Sequence, residues 1–362
     1  MVKYYTRPCN FFYGSSSKQL IKKKLTLPLC GDSSISFNQI EIFIRNRNQV
    51  KSKILSIKNL KKLPFIIKKK VLKDLKKIIT KRQFYKKKSH VLMGVLNLTP
   101  DSFSDGGKFN TEKKAIKRIT EMKRAGADII DIGGESTRPG SKIITEKQEL
   151  QRVKKVIKLF KKKFSKTLLS IDTRKSLVMN YAINKKADII NDVSCFKFDS
   201  KSLKTIENKN LWKILHHMQG TPQTMQKNPK YNHVLLDIYD FFEENINKFK
   251  SDKFKKKLIL DPGIGFGKNL KHNLIILNKI SIFHSLGFPI LIGTSRKRFI
   301  NQISGDYDTN ERIGGTLSSI IFSLSQGIKI FRVHNVKEVK QGLLVFETLL
   351  KKWKKNILAQ ME

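Results

Sequence analysis

The chain contains few cysteines and no long apolar run. Three cysteines, Cys9, Cys30 and Cys195, are scattered over 362 residues, which excludes a disulfide framework and fits a reducing cytoplasm. No apolar segment is long enough to cross a bilayer, and residues 1–24 lack the apolar core of a secretory signal. We therefore expect a cytoplasmic protein with no membrane partner.

Acidic residues are also scarce, with 29 Asp and Glu against 74 Lys and Arg, for a net charge of +45. Basic surfaces attract nucleic-acid backbones regardless of base sequence. The lysines, however, are spread over most predicted helices rather than gathered with aromatic residues into a surface on which bases stack. Lys, Asn, Ile and Phe, which AT-rich codons encode, are all abundant. Genomic bias acting on solvated surfaces explains the charge better, so we expect no specific nucleic-acid partner.

The first ninety residues differ in character from the rest. From Glu41 to His90 there are 18 Lys and Arg against two acids, and glycine-rich loops are missing. Residues 37–44 alternate as a strand does, and residues 54–79 have apolar side chains at mixed helical spacing. We predict a basic N-terminal extension at residues 1–90, with a small α/β appendage and a linker at 80–89, before a barrel domain at 91–362. A transit peptide is the weaker interpretation, because Lys rather than Arg dominates.

From residue 91 onward, short apolar segments repeatedly end in clusters of polar residues. The first ends in a turn that carries Asn97, Thr99 and Asp101, more polar groups than a simple turn requires. Polar groups at the carboxyl ends of parallel strands usually face a ligand. Eight such strands are predicted, at residues 91–96, 127–132, 168–171, 187–190, 212–215, 258–260, 288–292 and 328–331.

The segments between these strands have the apolar spacing of helices. Val153, Val156, Ile157 and Phe160 form one such stripe, and a last helix is predicted at residues 336–350. Strands that alternate with helices imply right-handed crossovers and a parallel sheet. An open doubly wound sheet would place its glycine-rich loop mainly at one switch point. Eight units over roughly 260 residues instead predict an α/β fold of the closed (β/α)8, or TIM-barrel, type, which typically has about 250 residues.

The residues at the strand ends indicate a particular chemistry. Asp172, Asn191 and Asp261 end three strands, and such carboxylates and amides bind the paired donors of a flat heterocycle. A helix N-cap is the alternative role for Asp172 taken alone. Arg332 and His334 interrupt an apolar segment, and cations so placed can stabilise a departing diphosphate. In so basic a chain, an ordinary solvated surface residue is the competing interpretation for each.

Seven motifs occur in order between residues 91 and 350 and carry a resemblance. They are NLTPDSFSDGG from Asn97, DIGGESTRPG from Asp131, SIDT from Ser170, Asn191-Asp192, DPGIGFGK from Asp261, TSRK from Thr294 and RVH from Arg332. Each alone is weak, but together and in this order the set resembles the dihydropteroate synthases, the pterin-binding transferases of folate biosynthesis.

The resemblance implies a reaction. The diphosphate of 6-hydroxymethyl-7,8-dihydropterin departs, and the amine of 4-aminobenzoate attacks the pterin cation to give 7,8-dihydropteroate. Positioning and electrostatics supply the catalysis, so no nucleophilic Ser or Cys is required. Mg²⁺ is expected at the diphosphate, with Asn97 as its protein ligand, because Mg²⁺ prefers a few protein oxygens beside phosphate oxygens. Sulfonamides are expected to compete for the aminobenzoate pocket.

The resemblance also implies a role for each site residue. The pterin ring would contact Asp172, Asn191, Asp261 and Lys297. The diphosphate would contact Asn97, Thr137, Arg138, Arg332 and His334. The aminobenzoate would lie among Phe103, Thr137, Pro139, Phe266, Ser295 and Lys297. Asp105 would face the developing cation, and the residues expected to act in catalysis are Asp105, Lys297, Arg332 and His334.

Several alternatives and one departure accompany this interpretation. A pterin-binding methyltransferase domain that works with a corrinoid partner would keep the ring anchors but has no use for the other motifs together. A basic binding protein with a decayed barrel is disfavoured by the intact strand ends.

His216 stands where the family usually has an apolar residue, so it either alters the pterin pocket or is a core histidine. The residues near it lack the Cys and His spacing of a zinc site. The resemblance implies a homodimer that forms through barrel helices near the last strands. Residues 317–324 are apolar enough to form that surface and equally apolar enough to be core.

Overall fold

The computed structural model of the chain describes residues 2–84, 89–99, 111–137, 140–249, 252–305 and 307–359. No helix within these residues has the length and apolar character that crossing a bilayer requires. The N-terminal unit comprises β1 (Val2–Tyr13), α1 (Gly14–Lys22), β2 (Leu27–Leu29), β3 (Asp32–Asn46), β4 (Gln49–Ser56), a 3₁₀ helix (Ile57–Lys62) and α2 (Phe65–Ile79).

Eight parallel strands follow and form a barrel, as predicted. They are β5 (Val91–Asn97), β6 (Ile129–Gly133), β7 (Leu168–Asp172), β8 (Ile189–Asp192), β9 (Trp212–His216), β10 (Leu258–Asp261), β11 (Leu291–Ile292) and β12 (Ile330–Val333). Their order in the sheet is β10-β9-β8-β7-β6-β5-β12-β11. A parallel bridge between Leu260 and Ile290 joins the two ends of this order, so the sheet closes.

Helices cover the outside of the barrel. They are α3 (Thr111–Arg124), α4 (Glu146–Lys163), α5 (Ser176–Asn184), α6 (Ser202–Ile206), α7 (Val234–Lys248), α8 (Asp252–Lys255), α9 (Leu270–Asn278), α10 (Arg298–Ser304), α11 (Ile313–Leu324) and α12 (Val336–Ala359). A capping box of Thr145 and Gln148 starts α4. The predicted stripe of Val153, Val156 and Phe160 on α4 is buried, which confirms the prediction of a helix with one apolar face.

Alternate residues along each strand separate two layers of core. Side chains such as Leu92, Ile130 and Ile171 pack under the helices. The intervening residues, Val91, Met93, Ile129, Ile189, Ile214, Ile259, Leu291 and Ile330, form a separate buried cluster that fills the interior of the barrel. This cluster lies near the amino ends of the strands, which leaves room for a ligand cavity at their carboxyl ends.

The N-terminal unit is an antiparallel sheet on which α1 and α2 pack. Strand β3 pairs with β1, β2 and β4. The predicted strand at residues 37–44 lies inside β3. The helical prediction for residues 54–79 is wrong at residues 54–56, which belong to β4, and the helical part is divided into the 3₁₀ helix and α2. Ile54 pairs with Glu41 across the β3–β4 hairpin, and Pro64 immediately precedes the first turn of α2. The long strand β1, which no local pattern had indicated, is stabilised by pairing with β3.

Polar contacts attach this unit to the barrel. Tyr5 donates to the Asp240 carboxylate on α7 at 3.0 Å, and Arg45 contacts Asp237 on the same helix at 2.7 Å. In the described part of the predicted linker, Arg82 is 5% exposed and donates to the carbonyl of His284 at 3.0 Å. The linker therefore packs on the barrel at this point.

Glu41 is the most deeply buried acid in this contact, at 2% exposure. Its carboxylate accepts from Arg7 Nε at 2.7 Å and from Lys279 Nζ at 2.5 Å. Burial by itself would raise the pKa of Glu41, but the hydrogen bonds and charges of Lys279 and Arg7 outweigh burial and lower the pKa. The carboxylate is thus ionised and pairs one cation from each part of the molecule.

We predict that Glu41→Ala lowers the free energy of unfolding by about 3 kcal/mol, because it leaves buried positive charge uncompensated. Urea unfolding followed by circular dichroism measures this change. The matched control is Glu121→Ala, which removes an exposed partner of Arg118 at 3.3 Å and should cost under about 1 kcal/mol. Equal losses in the two variants would contradict the role given to Glu41.

Candidate active site

A cavity of about 600 Å³ opens at the carboxyl ends of the barrel strands. Ten of the predicted site residues line it: Asn97, Thr137, Asp172, Asn191, Asp261, Phe266, Ser295, Lys297, Arg332 and His334. Phe103, Asp105, Arg138 and Pro139 lie outside the residues that the structure describes. The remaining site residues therefore come together in one place, although they are separated by up to 237 positions in the chain.

Asp172, Asn191 and Asp261 are buried at the ends of β7, β8 and β10, with exposures of 7%, 3% and 5%. Asp172 lies beside Asn191 in the strand register, so an amide and a carboxylate are neighbours. The alternative N-cap role for Asp172 is wrong, because Asp199 accepts from the backbone N–H of Ser176 at the start of α5, at 2.7 Å. Asp172 is therefore available to the cavity.

Arg332 connects two carboxylates at the centre of the site. Its Nε donates to Asp131 Oδ2 and its Nη2 donates to Asp172 Oδ2, both at 2.7 Å. Asp131 is completely buried and also accepts from Ser170 Oγ at 2.6 Å and from Asn191 Nδ2 at 3.2 Å. One fully buried carboxylate thus orients both an amide and a guanidinium that line the cavity.

Asp131 was not among the predicted site residues. Its sequence signal is a single acid between Ile130 and Ile132 in an otherwise apolar strand, at the first position of the motif DIGGESTRPG. A carboxylate at an inward position of a barrel strand requires partners, since a buried charge without them is costly. That argument identifies a partnered acid, but only the fold reveals that the partners are Arg332 and Asn191.

The burial of this site shifts the ionisation of its members. Burial raises the pKa of Asp261 to about 6, against the lowering effects of the Gly263 backbone N–H and nearby cations. Burial and the neighbouring Arg332 lower the pKa of Lys297 to about 8. Burial also raises the pKa of Asp172. The Arg332 guanidinium lowers this pKa but is shared with Asp131, whose negative charge raises it again. Charge in the site is therefore sensitive to pH near neutrality.

Lys297 and Phe266 form one wall of the cavity. The Lys297 ammonium lies 4.0 Å from the centre of the Phe266 ring. Gly265 has a φ of +79°, and a β-carbon there would come within 3.1 Å of the Lys297 side chain. The turn must therefore be glycine for the lysine to lie against it. Ser295, two residues before Lys297, accepts at its Oγ from the backbone N–H of His334 at 3.2 Å.

An ion-pair network lies behind the loop that follows β6. Glu135 accepts from Arg174 Nε at 2.9 Å and lies 3.0 Å from Lys175 Nζ, and Lys175 also donates to Glu149 at 2.8 Å. Glu135 accepts from the backbone N–H of Ile144 at 3.2 Å as well. Both ends of the loop that carries Thr137 are thereby attached to the turn between β7 and α5. The motifs did not reveal this link.

His216 lies at the cavity, with 3% exposure. Its ring stands edge-on to Phe266 at 4.5 Å, and its Nε2 is 3.9 Å from Asp261 Oδ2. Burial and the charge of Lys268 keep the pKa of His216 well below its usual range, so the imidazole is neutral. The described residues contain no group of three His, Cys, Asp or Glu side chains that would hold a zinc ion.

Comparison with known proteins gives the relatives of this chain. Residues 93–334 match the family described as pterin binding enzyme. The dihydropteroate synthase of Escherichia coli is 42% identical over 260 residues, which cover 72% of this chain and 91% of the relative. The dihydropteroate synthase of Bacillus subtilis is 39% identical over 269 residues, covering 74% and 91%.

Solved structures give the same relationship. The Yersinia pestis dihydropteroate synthase in a sulfonamide drug complex has a TM-score of 0.67 and 39% identity, covering 72% of this chain and 94% of that one. The Xanthomonas albilineans enzyme in complex with 7,8-dihydropteroate has a TM-score of 0.65 and 31% identity, covering 72% and 93%. These matches confirm the resemblance carried by the motifs, and the chain belongs to the dihydropteroate synthases of the pterin-binding enzyme family.

Proposed function

We propose that this chain joins 6-hydroxymethyl-7,8-dihydropterin diphosphate to 4-aminobenzoate, giving 7,8-dihydropteroate and diphosphate for folate biosynthesis. One observation carries the proposal: Asp172, Asn191 and Asp261 share a single cavity with Arg332 and His334. The first three suit a flat heterocycle with several N–H donors, and the last two suit an anionic leaving group. Relatives of this chain have been solved with 4-aminobenzoic acid and with 7,8-dihydropteroate.

Asn191 supports the assignment of the pterin pocket. Its Nδ2 donates to Asp131, and an ionised carboxylate can only accept, so the orientation of the amide is set. Its Oδ1 is buried and has no hydrogen-bond partner among the described residues. Leaving a buried acceptor unsatisfied costs free energy, which a ring N–H of the substrate would recover. We assign Asp172 and Asp261 to the remaining ring N–H groups and Lys297 to the ring carbonyl.

The diphosphate is assigned to Asn97, Thr137, Arg332 and His334, with Arg138 beyond the described residues. Their cationic and hydroxyl groups stabilise the charge that develops as the C–O bond breaks. The donor set at Asn97 also fits Mg²⁺, because a single amide oxygen beside phosphate oxygens matches the preference of that ion. Bound there, Mg²⁺ would neutralise part of the diphosphate charge.

The chemical step breaks the C–O bond, and the diphosphate leaves with the electron pair. The arylamine nitrogen then bonds to the pterin methylene carbon and loses a proton. We place the aminobenzoate against Phe266, Ser295, Lys297 and Thr137, with Phe103 and Pro139 beyond the described residues. Asp105, also beyond them, is proposed to face the cation. Catalysis arises from positioning and fixed charge, since the reaction proceeds without a covalent enzyme intermediate.

The corrinoid-dependent methyltransferase is not favoured, because the relatives at 39–42% identity are dihydropteroate synthases.

We further propose that the enzyme acts as a homodimer through α11 and α12, with neither nucleic acid nor membrane as a partner. Exposed apolar side chains support this surface, among them Phe322 at 48% and Leu349 at 60%. Its three cysteines are free and buried, which suits a reducing compartment such as the cytoplasm.

The first test is turnover with dihydropterin diphosphate, magnesium and 4-aminobenzoate. Asp172→Ala and Lys297→Ala should each lower kcat/KM at least about 100-fold, because each removes a group proposed to contact the pterin. Circular dichroism should show that the fold is intact, and Lys271→Ala on the exposed side of α9 serves as the control. Full activity in either site variant would refute the assignment.

A second variant tests the buried carboxylate. Asp131→Ala should lower kcat/KM about 10- to 100-fold, because Arg332 and the Asn191 amide lose their common partner. Ser170→Ala removes a different hydrogen bond to the same carboxylate and leaves Arg332 held, so it should cost less than about 10-fold. Steady-state kinetics of both variants decide the matter, and an equal loss in the two would count against the role of Asp131.

The pH profile provides a third test. As pH falls through about 6, Asp261 takes up a proton and can no longer accept two N–H groups, so kcat/KM should fall. As pH rises through about 8, Lys297 loses its charge, and kcat/KM should fall again. In Lys297→Arg, the residual activity should lack the alkaline limb, because an arginine stays protonated. An unchanged alkaline limb in that variant would show that another group titrates there.

A further inference from the structure

The loop between β9 and α7 reaches across the mouth of the barrel. We call residues 219–232 the bridging loop. Its two ends are joined by a pair of hydrogen bonds, in which Gln219 Nε2 donates to the Lys230 carbonyl at 2.8 Å and the Lys230 N–H donates to Gln219 Oε1 at 2.9 Å. Tyr231 also donates to the carbonyl of Gly267 at 2.8 Å. The loop therefore has a defined shape and a fixed attachment.

The bridging loop holds the loop that follows β6. Gln223 Nε2 donates to the carbonyl of Ser141 at 2.8 Å, and the N–H of Gly140 donates to the carbonyl of Pro222 at 3.3 Å. Ser141 Oγ in turn donates to the carbonyl of Ser136 at 2.6 Å. Residues on both sides of positions 137–139 are thereby linked to Pro222 and Gln223.

The bridging loop also holds the turn that follows β10. Gln226 Nε2 donates to the carbonyl of Gly265 at 2.7 Å. The next residue is Phe266, and Gly265 itself lies against the Lys297 side chain. The Gln226 amide thus joins the Gly265 N–H, which donates to Asn273 Oδ1 at 2.8 Å, in holding the turn that supports one wall of the cavity.

We propose that Gln223 and Gln226 are positioning residues for the second substrate, the arylamine, and this inference rests on the proposed function. The segments that they hold contain Thr137 and Phe266 or support Lys297, the groups assigned to 4-aminobenzoate. The pterin anchors Asp172 and Asn191 lie instead on barrel strands and are held by Arg332 and Asp131. Thr137 and Lys297 are also assigned to the pterin diphosphate, but that substrate keeps its strand-borne anchors Asp172, Asn191 and Asp261. Loss of either glutamine amide therefore impairs binding of the arylamine more than binding of the pterin diphosphate.

Both segments depend on such support because of their backbone conformation. Gly140 and Gly265 have φ values of +78° and +79°, in the left-handed region that glycine adopts without strain but also leaves readily. Each glutamine adds a side-chain hydrogen bond to a neighbouring carbonyl, which narrows the range of arrangements open to these turns. Without this hydrogen bond, the side chains assigned to 4-aminobenzoate sample more arrangements, and the fraction of protein molecules competent to bind the arylamine falls.

The test compares Gln223→Met and Gln226→Met with the unmodified chain in steady-state assays that vary each substrate in turn. Methionine keeps the length of the side chain and removes only the amide. Each variant should raise KM for 4-aminobenzoate about 3- to 10-fold, while KM for the dihydropterin diphosphate changes less than about 2-fold. Gln151→Met on α4, an exposed glutamine far from the cavity, is the matched control and should change neither.

The possible outcomes separate the two proposals. An unmodified chain that fails to turn over these substrates refutes the proposed function. If that chain is active, unchanged aminobenzoate KM values in both variants overturn the positioning role. A parallel rise of both KM values with a lower thermal midpoint would also overturn it, because it would indicate a general loss of structure. A selective rise in the aminobenzoate KM at an unchanged thermal midpoint supports it.

Discussion

The guanidinium of Arg332, held between the carboxylates of Asp131 and Asp172, is the interaction on which the site depends. Three strands, β6, β7 and β12, each contribute one member. Only β5 lies between β6 and β12 in the sheet, so the order of the parallel strands brings the three side chains together. Two carboxylates and one cation in so buried a place are stable only with further hydrogen bonds, which Ser170 and Asn191 provide. The same pairs orient the amide and the cation that we assign to the substrate.

The barrel could be predicted from the sequence because the pattern that identifies each strand lies within a short segment of the chain. Each strand is a short apolar run that ends in polar residues, and the eight repeats fix the architecture. The cavity residues followed from the motifs at those ends. Asp131 did not, because its partners Asn191 and Arg332 come from β8 and β12, 60 and 201 positions away in the chain. The role of Glu135 could not be predicted either, since its partners Arg174 and Lys175 follow a different strand.

The N-terminal unit was less predictable for the same physical reason. Antiparallel pairing between β1 and β3 joins residues 22 to 44 positions apart, and β1 shows no clean alternation of apolar and polar residues. The family match begins at residue 93, so the unit lies outside it. Its contacts nevertheless reach the site indirectly. Arg45 pairs with Asp237, whose other oxygen accepts from the backbone N–H groups of Asn232 and His233 at the end of the bridging loop.

The most direct test of the account is a crystal structure of the protein with 7,8-dihydropteroate bound. The account predicts that the pterin ring lies within hydrogen-bond distance of Asp172, Asn191 and Asp261, with the Asn191 oxygen accepting a ring N–H and the aminobenzoyl group against Phe266. Arg332 should still contact Asp131 in that complex. A pterin ring bound elsewhere, or an Asn191 side chain that turns its nitrogen toward the ring, would contradict the central claim.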